Sequence, residues 1–393
     1  MKYRILIAVL WLPVSYLAAQ RGSSLHRRAI LVDTHNDVLT ATVLAGKDIS
    51  TRLDTGQSDL VRWRKGGVDV QFFSVWTDEK PRRPEGFFHD ANEEIDSLDA
   101  LVKRHPESFA LATTYAEVRR GIRRHRLVAL IGVEGGHMIE DDLGKLDSLA
   151  RRGMRYLTLT WNNSNAWSSS ARDESLHPGS LRQKGLNDFG RQVVRRLNEL
   201  GVMVDLSHTG EQTFYDALAV TSKPVLLSHS SVYALCPAFR NLKDDQIRAV
   251  ARNGGVICIN FYPGFIGRDF LRREIELDEK DKPRMLDSLL GVYRDSARAE
   301  QAWLAYRHSQ LDPLRPTLAD LVDHIDYIVR LVGDDYVGLG ADYDGVDEVP
   351  RGLEDVTSYP RITEELLRRG YSRTSIRKIL GGNVLRVMRA NLP

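Results

Sequence analysis

Between Gly201 and Ser231 the chain states one phrase twice: GVMVDLSHTG, then, after a short helical pattern over 211–220, KPVLLSHSS. Each is a brief β-branched and aliphatic run ending in Leu-Ser-His, so His208 and His229 hold equivalent places in successive units. Strand, helix, strand is the βαβ unit, whose parallel strands point the same way. Imidazoles at the carboxyl ends of neighbouring parallel strands face one crevice, where α/β folds place their chemistry. The plain alternative is two unrelated histidines satisfied by hydrogen bonds. Repetition of the whole phrase argues against it.

The same alternation continues on both sides. Strand patterns fall at 29–34, 68–76, 127–133, 155–160, 202–206, 224–227, 255–260 and 336–340, with helical stretches such as 91–104, 186–200, 244–252 and 317–331 between them. Eight strands with intervening helices predict an α/β fold, the (β/α)8 TIM barrel, over 24–393. Three more helical patterns follow, at 363–369, 373–380 and 382–390. One segment breaks the rhythm. Residues 263–316 are longer than an ordinary βα connection and rich in charge, which predicts a partly helical excursion at the carboxyl-end face. A lid, an oligomer contact and a solvated charged loop are all open readings of it.

Composition limits the partners. A net charge of +2 over 393 residues gives no reason to expect nucleic acid or an acidic membrane surface. Residues 1–20 differ from the rest: a basic start, an apolar run from Ile5 to Leu17, then Ala18-Ala19-Gln20. That pattern predicts a secretory signal peptide, too short in its apolar part for a membrane span. No cysteine follows it and no apolar tail closes the chain, so neither a lipid nor a glycolipid anchor is expected, and the mature protein should be periplasmic or secreted. Cys236 and Cys258 are the two cysteines. Export permits a disulfide between them, and two free buried thiols are an equal alternative. Without a CxxC they make no thiolate zinc site.

The chemistry lies in what each strand leaves at its end. The first gives His35-Asn36-Asp37, and in extended backbone residues i and i+2 share a side, so His35 and Asp37 can converge on one ion. The third runs into Glu134-Gly135-Gly136-His137, where two glycines allow close backbone approach. The fifth and sixth give His208 and His229, and the eighth gives Asp342-Tyr343-Asp344. Three histidines with three carboxylates exceed one tetrahedral ion. They suit two ions sharing a carboxylate, with a bridging hydroxide as nucleophile and Asp342 as acid/base beside them. Imidazole and carboxylate without thiolate favour zinc, with manganese and iron also compatible. A dinucleotide fingerprint and a calcium loop fail on their missing glycine and glutamate.

This constellation resembles the renal (membrane) dipeptidase family, the exported di-zinc peptidases of the amidohydrolase-like barrels. The resemblance covers nearly the whole mature chain. It rests on HND at 35–37, GVEGGH at 132–137, RYLTLT at 155–160, the two LSH phrases, Arg240-Asn241, NFY at 260–262 and GADYDG at 340–345. It implies one zinc on His35, Asp37 and Glu134, and a second on Glu134, His208 and His229. It also implies that Arg240 pairs with the substrate carboxylate, that Tyr262 lines the substrate pocket, and that Asp342 takes the nucleophile's proton and passes it to the leaving amine. A small dipeptide, with a D-residue tolerated at its C-terminal side, is the implied substrate, and a homodimer the implied assembly.

One position departs from the family. A histidine usually follows LTLT, where it polarises the scissile carbonyl; here Trp161 stands, followed by Asn162 and Asn163. An indole donates one hydrogen bond and cannot become cationic. Losing such a donor costs ~10²–10³ in turnover unless Asn162, Asn163 or a metal replaces it. A lactone, ester or amide hydrolase on the same barrel, or a metal-binding scaffold without catalysis, are the alternatives this exchange opens. His137 is expected near the site and outside the ligand set, and His89, His105, His125, His177 and His324 are expected on the surface or on helices. Trp167 and Arg172-Asp173-Glu174 are open between pocket rim and structural loop.

Overall fold

The computed structural model describes residue 22 and residues 24–393; the signal-peptide expectation lies outside the described residues. Eight parallel strands close into a barrel: β1 (Val32–Asp33), β2 (Val70–Val75), β4 (Leu127–Glu134), β5 (Met154–Thr158), β6 (Met203–Asp205), β7 (Leu226–Leu227), β8 (Val256–Ile259) and β9 (Val337–Leu339). Closure comes where β1 pairs with both β2 and β9, and β2 with β4. The extra strand β3 (Phe109–Leu111) pairs with the first residues of β4, below the point where β5 joins it. The eight strands expected from the apolar runs are the eight of the barrel.

Alternation along each strand separates two cores, as a period of two requires. Phe72, Leu130, Tyr156, Met203 and Cys258 belong to one cluster, completed by Val384 and Met388 of the last helix, Asn383–Asn391. Phe73, Ile131, Leu157, Val204 and Ile257 belong to the other, shared with the surrounding helices. The first fills the barrel and the second joins it to its outer ring. Gly132 is part of the first arrangement, because a Cβ there would strike the Tyr156 ring. That gap lets the tyrosine reach across toward the strand ends.

The segment at 263–316 is helical nearly throughout: Pro263–Ile266, Arg268–Glu276, Lys282–Tyr293 and Ser296–Leu311, with a wide turn at Leu277–Asp281. It carries a small core of its own, Phe270, Leu277, Trp303 and Leu311. The helix Lys282–Tyr293 buries no residue, and Leu290, Val292 and Tyr293 are exposed. Cys236 and Cys258 are free and buried. Among the described residues no helix is long and apolar enough to cross a membrane.

Candidate metal centre

The five expected ligands and Asp342 meet at the carboxyl ends of the barrel strands. β4 ends on Glu134 itself, while His35, His208, His229 and Asp342 lie just beyond β1, β6, β7 and β9. Glu134 sits at the centre: its Oε2 is 3.5 Å from His35 Nε2, and its Oε1 is 3.0 Å from His208 Nε2 and 3.3 Å from His229 Nε2. His35 Nε2 also lies 3.5 Å from Asp37 Oδ2 and 3.9 Å from Asp342 Oδ1. Two buried triads have donor atoms close enough to share an ion, His35–Glu134–His229 and His35–Asp37–Asp342.

The second nitrogen of each imidazole decides what the first can do. Ser228 Oγ donates to Asp205 Oδ2 at 2.6 Å and so accepts from His229 Nδ1 at 2.7 Å. Asn162 Oδ1 accepts from His208 Nδ1 at 3.0 Å, and the Tyr156 hydroxyl meets His35 Nδ1 at 2.8 Å. With the proton on Nδ1, His208 and His229 each turn an Nε2 lone pair toward Glu134. Lone pairs facing carboxylate oxygens repel unless a cation lies among them. His35 Nε2 and Asp37 Oδ1 are buried without a hydrogen-bond partner. This donor set fits divalent metal.

The electrostatics agree. Burial, with His35 and Arg240 adding to it, holds His229 well below its ordinary value; burial and Arg240 bring His208 down to about 4. Both stay neutral, the form that binds metal. For His35, burial acts downward, yet Tyr156, Glu134 and Asp37 lift the imidazole well above its usual range. For Glu134, burial acts upward, and the histidines more than reverse it. A positive charge is therefore favoured between them. Burial, with Asp37 and Glu134 nearby, raises Asp342 to about 7. Its Oδ2 accepts from Asn260 Nδ2 at 2.9 Å.

Backbone strain accompanies the placement. His208 (φ 62°), Asp342 (φ 65°) and Asp344 (φ 64°) occupy the left-handed region without being glycine, a conformation that costs on the order of 1 kcal/mol or more each and gathers at functional sites. Buried carboxylates brace the turns. Asp205 accepts from Ser207 N at 3.2 Å, Ser228 N at 2.8 Å and Thr158 Oγ1 at 2.6 Å, tying β5, β6 and β7 together. Asp33 accepts from Ala341 N at 3.0 Å and Tyr359 Oη at 2.6 Å, tying β1 to the segment after β9.

The remaining candidates surround a cavity of about 1100 Å³ above the ligands, lined by Arg240, Tyr262, Trp161 and Asn162 among others. The buried Arg240 guanidinium abuts His208, donates to the His229 carbonyl and stacks on Phe265 at 4.7 Å; its Nε has no partner. Tyr262 donates to Glu274, which also pairs with Arg307 of the inserted helices. Trp161 packs edge-on to Trp76 at 5.1 Å and lies 6.4 Å from the His208 ring.

Other residues fall elsewhere. His137 bonds to the Thr77 carbonyl at 3.2 Å, apart from both triads. Trp167 is in the core, whereas Glu174 lines the cavity. His324 lies on a helix but is buried there, taking the Val232 N–H at 3.1 Å and meeting the Ile266 carbonyl at 3.2 Å. Tyr156, Asp205, Ser228 and Glu274 were not among the residues expected at the site; Tyr156 meets a histidine 121 positions away. The Asp-Leu-Ser-His and Leu-Ser-His phrases do carry a trace of the Asp205–Ser228–His229 chain.

A sequence model of the family described as membrane dipeptidase (peptidase family M19) matches residues 19–392. Solved structures of the same fold include the probable dipeptidase PvdM of Pseudomonas aeruginosa, 26% identical over 95% of this chain and 98% of that one, with a TM-score of 0.78. A metallo peptidase from Rhodobacter sphaeroides, liganded with a phosphinate mimic of the dipeptide L-Ala-D-Ala, is 23% identical over 92% and 99%, with a TM-score of 0.74. An amidohydrolase from Pseudomonas aeruginosa is 20% identical over 94% and 99%, with a TM-score of 0.70.

Proposed function

The chain belongs to the membrane dipeptidase family and is a metallodipeptidase, and from that premise we propose that it cleaves small dipeptides with a free C-terminal carboxylate, using two zinc ions. The observation that carries this reading is the convergence of three imidazole Nε2 atoms and the carboxylates of Glu134 and Asp37 at one buried point. His35, Asp37 and Glu134 would hold one ion, and Glu134, His208 and His229 the other. Glu134 is suited to share because its two oxygens face different histidines. Imidazole and carboxylate donors support zinc. When bound, such a pair supplies Lewis acidity and a water acidic enough to attack near neutral pH.

The chain's own residues do the rest. Arg240, buried yet facing the cavity, would pair with the substrate carboxylate, bidentate as a guanidinium prefers. Asp342, held through Oδ2 by Asn260, keeps Oδ1 toward His35 and would accept a proton there and return it to the leaving amine. Tyr262 would form one side of the substrate pocket, fixed by Glu274. Trp161 and Trp76 would form the opposite side and exclude water. A dipeptide with a C-terminal D-residue fits this reading, since the Rhodobacter relative was solved with a mimic of one. The basic and apolar start of the sequence supports export, and the family likeness supports a homodimer, which light scattering would check.

The test is hydrolysis of a dipeptide panel by purified protein before and after chelation. Turnover lost on chelation and restored by zinc supports the proposal. Trp161 beside His208, where the family carries a histidine, favours one second reading: a lactone or ester hydrolase. Lactone turnover without dipeptide turnover would select it.

A further inference from the structure

The loop that follows β5 grips the turn carrying His208. Thr160 Oγ1 and the Ala171 N–H both donate to the His208 carbonyl, at 3.1 and 2.8 Å, and the Gly210 N–H donates to the Ser169 carbonyl at 2.9 Å. Within the loop the Asn162 carbonyl accepts from Ser170 Oγ at 2.6 Å. So braced, the loop sets the Asn162 side chain against the imidazole, Oδ1 lying 3.0 Å from Nδ1.

Which end of that amide faces the ring follows from Arg240. Its Nη1 meets His208 Nε2, and a guanidinium carries donors only, so Nε2 accepts and Nδ1 bears the proton. The amide must then turn its oxygen to Nδ1. Its nitrogen, Nδ2, is left with no partner among the described residues, yet it is not one of the atoms closed off inside the protein. Asn162 is partly exposed and lines the cavity. Arg240 stands at the same edge of the ring, Nη1 being 3.4 Å from His208 Nδ1. The unengaged amide nitrogen and the guanidinium therefore belong to one corner of the cavity.

We propose that Asn162 uses both ends of its amide: Oδ1 fixes the His208 tautomer for metal, and Nδ2 donates, beside Arg240, to the substrate's terminal carboxylate. The inference rests on the metallodipeptidase reading and deepens it by assigning a second residue to carboxylate recognition. A carboxylate has two oxygens with about four lone-pair directions, more than one guanidinium edge fills. A donor to a charged acceptor is also among the stronger hydrogen bonds. Recognition of the carboxylate and placement of one metal ligand thus meet in a single side chain.

The experiment separates the two ends. Asn162→Asp keeps an oxygen for His208 Nδ1 and replaces the donor by a like charge, whereas Asn162→Ala removes both. For each metal-loaded full-length variant, KM is measured for L-Ala-D-Ala, or for another dipeptide that the parent hydrolyses. The C-terminal amide of that dipeptide is titrated as a competing ligand, and metal affinity is read with a chelating dye. Asn162→Asp should raise KM by about 10²-fold with metal affinity no lower than the parent's, and should weaken the amide far less. Asn162→Ala should raise KM by about tenfold and lower metal affinity by roughly 10–100-fold. If Asn162→Asp does not fold, Asn162→Ala carries the test through its larger effect on the dipeptide than on the amide. An unchanged KM, equal weakening of dipeptide and amide, or metal lost from Asn162→Asp as from Asn162→Ala would overturn the inference and leave the peptidase reading intact. Absence of turnover on every dipeptide by the parent would instead overturn the peptidase reading, and the carboxylate role with it.

Discussion

At the strand ends His35, Glu134 and His229 are exposed by 0%, 3% and 1%, whereas the helix Lys282–Tyr293 of the insertion buries no residue. The first group takes its direction from the barrel. The histidines are placed by their strands and held again by neighbours: Tyr156 of β5 meets His35, and Ser228, itself bonded to Asp205 of β6, meets His229. The inserted helices lean on four core residues of their own and reach the site through Tyr262, Glu274 and Arg307. Ion placement tolerates errors of a few tenths of an ångström, so it is built on rigid elements. Selection among substrates needs only a shaped and charged wall, which loops and surface helices can supply.

That contrast can be broken by substitution, most severely below the cavity. Asp342→Asn should cut turnover by about 10³-fold or more, because the proton acceptor is lost, while metal content stays near that of the parent. Steady-state rates alongside metal analysis check both halves. Arg240→Ala should raise KM by about 10²-fold with bound metal retained, as expected for one partner of a buried charged pair. An unchanged KM would remove Arg240 from the carboxylate site. Asp205→Asn touches no ligand directly, yet it loosens the Ser228 contact that sets the His229 tautomer. Metal affinity should fall roughly 10–100-fold, measured by competition with a chelating dye.

Above the cavity the effects should be smaller and of another kind. Phe270→Leu in the insertion's core should cost about 1 kcal/mol locally. Faster proteolysis within 277–295, with unchanged metal content and an unchanged main unfolding transition, would show that the insertion opens apart from the barrel. Metal loss in this variant would show instead that the two regions are one unit.

The barrel was legible because each of its strands is an apolar run followed by a polar signature at its carboxyl end. β3 was not, since it is three residues long and pairs only with the start of β4. The ligands were legible for the same reason as the strands, the phrases HND, GVEGGH, LSH and GADYDG standing at strand ends. Their orienting partners were not. Tyr156 and His35 are 121 residues apart, and nothing local in either phrase announces the contact. Tyr262 was read as a pocket residue, but its clamp by Glu274 and Arg307 depends on how the inserted helices return over the barrel. His324 looked like an ordinary helix histidine because the two backbone groups it meets belong to distant loops.

The claim underlying all of this is that Glu134 joins two ions at the strand ends. Metal content per chain, measured by mass spectrometry together with dipeptide turnover in the parent and in Glu134→Gln, addresses it directly. The account predicts two divalent ions in the parent, with metal and activity falling together in the variant. Full turnover after exhaustive chelation, or Glu134→Gln retaining both ions and full activity, would contradict it.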